Sequence, residues 1–314
     1  CGSPQLRTAR ACRRRLKSIS NMSIRKRIVR GATKTPRGSI VRLFTKDDLP
    51  VSEMLQAARP PASPFRRGEY LHVSDLVGKC IRKIALAEHS GHAMPAESIS
   101  HSMGLTFAQG TAIHDYIKDA FIRAHRSKLY GRWACRCGAT CTEHAMLYRA
   151  VFGDTCHVCE GPLDLYEEAI LRSDSLGVRG APDVVLHLEG GALHIVEIKS
   201  KAHEQWKELV RPDPDHVVQV LLYWYIAREL GWNLSAQVSI LYATKGFMFS
   251  GSPFREFVLD AEASLPLLAD YIEDAQALVA FKNTGALPRR VRCANIKCSD
   301  AKKCHVAMEC FECE

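Results

Sequence analysis

The chain has 314 residues, with 43 Lys plus Arg against 34 Asp plus Glu, 46% hydrophobic content and 13 Cys. That length supports a sizeable core and one or two domains. No apolar run approaches the ~18 residues of a membrane span, and no apolar segment of a secretory signal follows the basic N-terminal residues. Both features point to a reducing, cytoplasmic setting, where 13 Cys read as metal ligands before disulfides.

The net charge of +9 is uneven. Residues 1–46 hold fourteen basic residues, from Arg7 to Lys46, and no Asp or Glu; the remainder of the chain is net −5. Such an arm reads as disordered, with salt-sensitive affinity for phosphate backbones. Met22, followed by Ser-Ile-Arg-Lys, is a candidate start that would set residues 1–21 apart. Residues 59–68 are Pro-rich and excluded from helix, so 1–69 form an arm and linker and order begins near Tyr70.

From there the periodicities alternate. Ser74 can cap a helix through about Glu88, with Leu76, Cys80, Ile84 and Ala87 on one face. A longer helix spans about 103–125, with Phe107, Ile113, Ile117 and Phe121 at helical spacing. Residues 131–163 break the pattern and hold five Cys. Strands follow over 165–172, 181–188 and 192–199, the last two joined by Gly190-Gly191 as a hairpin. A helix over 215–230, strands near 236–243 and 254–259, and a helix over 261–282 complete the body. Residues 288–314 are Cys-rich again. This order predicts an α/β (α+β) fold, a central mixed sheet flanked by helices.

The most informative stretch is Gly180-Ala-Pro-Asp183, then Glu197-Ile-Lys199. Side chains alternate along a strand, so Glu197 and Lys199 share a face. Pairing of 181–188 with 192–199 brings Asp183 to the end that carries Glu197. Two carboxylates can hold a hard divalent cation, and the ammonium can orient a water or offset phosphate charge. A surface ion pair is the bland alternative, but an apolar, buried strand makes idle charge costly. Gly110-Thr-Ala-Ile-His114 puts a His on the long helix, and Gln219 and Tyr223 lie one turn apart on the helix after Lys199.

These elements in order, Gly-x-x-x-His, Pro-Asp, Glu-x-Lys and Gln-x-x-x-Tyr, resemble the PD-(D/E)XK nuclease superfamily. They are most similar to its RecB-type exonuclease branch, which includes AddB and the CRISPR-associated RecB-like nucleases. The resemblance covers about residues 70–314 and implies a restriction-endonuclease-like core. It implies that His114, Asp183 and Glu197, with the carbonyl of Ile198, bind Mg²⁺ or Mn²⁺. It further implies that Lys199 positions the hydrolytic water and that Gln219 and Tyr223 contact DNA or order the site. Glu168 is a further acidic candidate. The implied activity is an exonuclease on DNA, single-stranded or with free ends, in repair, recombination or phage- or CRISPR-type processing. The alternatives are a structure- or sequence-specific endonuclease on the same fold, or a non-catalytic DNA-binding assembly protein. No G-x-x-x-x-G-K-[ST] loop is present, so the protein acts without ATP or serves a helicase or recombination partner.

Cys156-His-Val-Cys159 has the spacing of a zinc knuckle, and Cys135-Arg-Cys137 lies upstream. Two such pairs form a four-thiolate Zn²⁺ site in a small ribbon inserted at 131–165, with Cys141 as an alternative ligand. The resemblance implies a [4Fe–4S] cluster held by one early Cys and three late ones. Cys80, Cys293, Cys304 and Cys310 fit that pattern, Cys298 is a substitute, and the late spacing departs from the usual C-x-x-C. A second Zn²⁺ site made of late Cys alone is the rival.

Overall fold

The computed structural model describes residues 69–90, 99–137, 148–149, 153, 155–156 and 158–312. The basic arm, the Pro-rich linker, Cys141 and Cys313 lie outside the described residues.

Strand β1 (Leu71–His72) leads into helices α1 (Val73–Gly78) and α2 (Ile81–His89). One helix is expected here from the periodicity, and two form. Lys79 and Cys80 take extended backbone, and the Lys79 N–H closes α1 on the carbonyl of Asp75. Gly78 weakens the helix at that point, and the break leaves Cys80 at the head of α2. Helix α3 (His101–His125) is capped by Ser100, whose hydroxyl accepts the Met103 N–H.

The next segment folds as a small antiparallel sheet, in the order β3–β2–β4, from β2 (Gly131–Ala134), β3 (Tyr148–Arg149) and β4 (Leu165–Glu167). The strand expected over 165–172 is two strands in two sheets. β5 (Leu171–Ser173) pairs with β6 (Val178–Gly180), which runs parallel to β1. The chain leaves the first sheet at Glu168, whose side chain meets Lys118.

The central sheet is mixed, in the order β10–β9–β8–β7. Its strands are β7 (Val184–His187), β8 (Leu193–Lys201), β9 (Gln237–Thr244) and β10 (Phe254–Asp260). β7 starts later than its pattern suggests because Pro182 has no N–H for a ladder. β7 and β8 form the hairpin with Val184 opposite Val196. β8 and β9 are parallel, with the crossover made by α4 (His203–Lys207) and α5 (Pro214–Glu229). α6 (Ala261–Ser264) and α7 (Ala269–Thr284) follow. The single helix expected there is interrupted by a tight turn at Leu265–Leu268, where Pro266 cannot donate a helical bond. α8 (Ser299–Lys302) and α9 (Ala307–Glu312) end the chain.

β8 is covered on both faces, which is why it reads as a nearly continuous apolar run. Leu193 and Ile195 join a core with α1, α2, α5 and α7. Val196 and Ile198 join a second core with Ile117 of α3 and with Trp133, Cys156 and Leu163 of the ribbon. β8 is thus the shared wall of two cores. Among the described residues, no helix is long and apolar enough to cross a membrane.

Candidate active site and metal centres

Glu197 and Lys199 point to the α5 side of β8, as alternation requires. Gln219 and Tyr223 point back from α5, one turn apart. Lys199 Nζ donates to Glu197 Oε1 at 2.8 Å and to Gln219 Oε1 at 2.9 Å. Gln219 Nε2 donates to Glu197 Oε1 at 2.9 Å and to the Tyr223 hydroxyl at 3.0 Å. Gly180 makes this approach possible, since a Cβ there would lie 2.5 Å from the Tyr223 ring.

Asp183 arrives from just before β7. Its Oδ2 accepts the Ile198 N–H at 2.7 Å, and its Oδ1 lies 3.2 Å from His114 Nδ1. α3 crosses β8 closely enough to deliver that His: a Cβ on Gly110 would lie 3.2 Å from the Ser200 hydroxyl. Glu197, Lys199, Gln219 and Tyr223 thus share one hydrogen-bond network, and Asp183 ties His114 to the Ile198 N–H beside it. Of Ile198, the backbone N–H is engaged.

The electrostatics are those of a buried carboxylate. Glu197 is 3% exposed. Burial, then the nearby Asp183 charge, pushes its carboxyl up to about 8, against the pull of Lys199. Glu197 Oε1 accepts two bonds, while the buried Oε2 has no hydrogen-bond partner among the described residues. An orphaned acceptor near a second carboxylate suits a divalent cation, while among the described residues only the four ribbon cysteines already bring three or more ligand atoms within 4.8 Å of one another.

Glu168 sits one ion pair away. Lys118 Nζ donates to its Oε1 at 2.9 Å. Burial works against the Lys118 charge, yet the Glu168 contact and the neighbouring carboxylates hold its pKa above the ordinary lysine value. Lys118 was not singled out from the sequence; its position one turn after His114 was the available signal. Near Lys199, His216 Nδ1 contacts the Tyr242 hydroxyl at 2.7 Å. Burial, then the charge of Lys199, lowers the His216 pKa to about 4.

In the ribbon, the sulfurs of Cys135, Cys137, Cys156 and Cys159 lie within 4.8 Å of one another and could hold a metal ion. Cys135 and Cys159 are 3.4 Å apart, and Cys137 and Cys156 are 3.8 Å apart. Backbone N–H groups of Val158 and Gly161 point at the sulfurs of Cys156 and Cys159.

The other cysteines are arranged differently. Cys80, Cys293, Cys304 and Cys310 line one cavity of about 260 Å³ between the α1–α2 break and the C-terminal segment. Cys298 neighbours Cys293 and accepts the Ala301 N–H. The cavity lining also carries Lys79, Lys83, Arg290, Arg292 and Lys303 against one acidic residue, Asp300. The buried Arg82 donates to Cys310 Sγ at 3.3 Å and to the Pro288 carbonyl at 2.6 Å.

No protein-family model and no curated protein matches the chain. Among solved structures it is similar to an alkaline exonuclease from Laribacter hongkongensis, at 9% identity over 69% of this chain and 89% of that one, with a TM-score of 0.41. It is also similar to a protein from Eubacterium rectale whose structure is named for an exonuclease, at 14% identity over 75% of this chain and 88% of that one, with a TM-score of 0.39. At this distance the functional reading rests on the chain's own residues.

Proposed function

We propose that the protein is a divalent-metal-dependent deoxyribonuclease, acting as an exonuclease on single-stranded DNA ends. The observation that carries this is the knot of Asp183, Glu197, Lys199 and Gln219, with Glu197 Oε2 buried and without a hydrogen-bond partner among the described residues. Asp183, Glu197 and His114 are the groups that would hold Mg²⁺ or Mn²⁺. A bound ion would act there as a Lewis acid on the scissile phosphate.

The rest is done by the chain. Lys199 is fixed by two acceptors, so one of its three N–H bonds is left for a water or a phosphate oxygen. Gln219 passes that orientation from Tyr223 to Glu197, which keeps the carboxylate facing Asp183. Burial of Glu197 dries the site, which strengthens every charge interaction in it.

Two further metal centres complete the proposal. The four ribbon thiols suit a closed, tetrahedral Zn²⁺ site. The C-terminal cavity suits an anionic [4Fe–4S] group, with four thiols spread around a space too wide for one ion and a mainly cationic lining to balance the charge. Anaerobic purification should yield bound iron and a broad band near ~400 nm.

The activity is tested with end-labelled single-stranded DNA and a closed single-stranded circle in Mg²⁺ or Mn²⁺. Trimming of the linear strand with the circle spared is expected. Cutting of the circle would replace the exonuclease by an endonuclease. Full cleavage by Lys199→Ala would remove the mechanism.

A further inference from the structure

The loop between β9 and β10 carries two aromatic rings in solvent. Phe247 is 77% exposed and Phe249 is 97% exposed. They form an edge-to-face pair, with centroids 5.0 Å apart and planes at 88°. An exposed aromatic pair on a soluble surface marks a contact site.

The loop is not free to fold these rings inward. The Lys245 N–H donates to the Lys201 carbonyl at 2.8 Å. Lys245 Nζ donates to the Thr106 carbonyl, and Gln109 donates to the Lys245 carbonyl. Gly246 packs so closely on His203 that a Cβ there would lie 2.5 Å from that side chain. The base of the loop is thus fixed to the end of β8 and to the first half of α3.

That position adjoins the catalytic knot. Lys245 touches α3 at Thr106 and Gln109, about two turns and one and a half turns before His114, the residue that meets Asp183. The loop also leaves from the carboxyl end of a parallel strand pair, where ligands of open α/β sheets sit. Phe107, the residue after Thr106, adds a half-exposed ring on the facing turn of α3. By helical rise it lies roughly 10 Å from His114 along the axis. Lys199 and Lys245 stand toward the same strand ends, with Lys201 between them paired to Asp213, and the two suit a phosphate backbone, which argues for a nucleic acid on this face. Aromatic faces accept any unpaired base, at about 1–3 kcal/mol each.

We propose that Phe247 and Phe249 form a stacking platform for unpaired bases of the DNA strand entering the Asp183–Glu197 site. This rests on the nuclease reading and adds the reason for a single-stranded preference. Paired bases present no free face to such rings, so a duplex gains nothing from them.

The test is binding of a labelled oligothymidine, measured by fluorescence anisotropy in Ca²⁺. It is run intact, with an abasic site placed at each position in turn, and alongside a blunt duplex. The unsubstituted protein should lose roughly 5- to 100-fold in affinity when the abasic site falls at one or two particular positions. Phe247→Ala with Phe249→Ala should lose a similar factor on the intact strand and become indifferent to the abasic sites. Its duplex affinity should stay unchanged. Phe247→Leu with Phe249→Leu, which keeps apolar bulk, should behave like the alanine pair. Wild-type affinity in the alanine pair, or full affinity in the leucine pair, overturns the platform and gives the rings to another partner. Failure of the unsubstituted protein to bind or cleave any DNA overturns the nuclease reading itself.

Discussion

The knot around Glu197 and the ribbon are two gatherings of candidate ligands built on opposite plans. In the ribbon, four sulfurs lie within 4.8 Å of one another, with Cys137 and Cys159 at the surface. Each ligand can face a central ion, and no position is left over. In the knot, a buried carboxylate keeps one oxygen without a hydrogen-bond partner among the described residues and pairs with a lysine through the other. A closed shell suits a structural ion and an open one suits catalysis. The difference follows from what each site must replace. The ribbon has little core of its own, so metal ligation stands in for packing. The knot stands on the wall between two cores and is packed without a metal.

The largest expected effect breaks the open site. Lys199→Ala should lower single-turnover cleavage by about 10³-fold while DNA binding persists. If cleavage and binding fall together, Lys199 holds substrate and does not act on it. Next in size is metal removal. EDTA should abolish cleavage at once and reversibly on adding Mg²⁺. About one equivalent of zinc should remain until a mercurial frees it, read with a colorimetric chelator. Equal ease of removal at both sites would end the contrast.

Cys156→Ser should release that zinc and lower the melting temperature by several degrees, because Cys156 is itself buried in the core with Trp133. Trp133 emission should shift to the red in parallel. A smaller effect reports on the surroundings of Lys199. The His216 pKa is lowered to about 4, while the unfolded chain protonates near 6.5. Between those values the unfolded state binds the extra proton, so stability is lost as pH falls from about 6.5 to about 4. His216→Gln should flatten denaturation midpoints across that window, removing roughly 2 kcal/mol of pH dependence. The smallest effect lies on the ribbon surface. Arg136 pairs with Asp164 at 2.8 Å but is 74% exposed, so Arg136→Ala should change stability by less than about 0.5 kcal/mol.

Much of the site was legible because its spacings are local. Period two put Glu197 and Lys199 on one face, and a helical turn aligned Gln219 with Tyr223. A two-Gly turn set the hairpin register that brings Asp183 to Glu197. What was hidden depends on contacts between distant residues. The Lys118–Glu168 pair joins positions 50 apart in the chain. Arg82 reaches Cys310 across 228 positions. The split of 165–172 between two sheets shows the same limit, because an apolar run does not say which neighbour it will pair with.

The sequence by itself determined the alternation of elements, the chemistry at each ligand position and the faces on which paired residues fall. These follow from backbone periodicity and side-chain type, which need no partner. Only the tertiary structure decided that Glu197 would keep an oxygen without a partner among the described residues, that His216 would lie near Lys199, and that Phe247 and Phe249 would stand in solvent. Burial and exposure belong to the packed chain: each depends on what another segment covers, and no local pattern carries that.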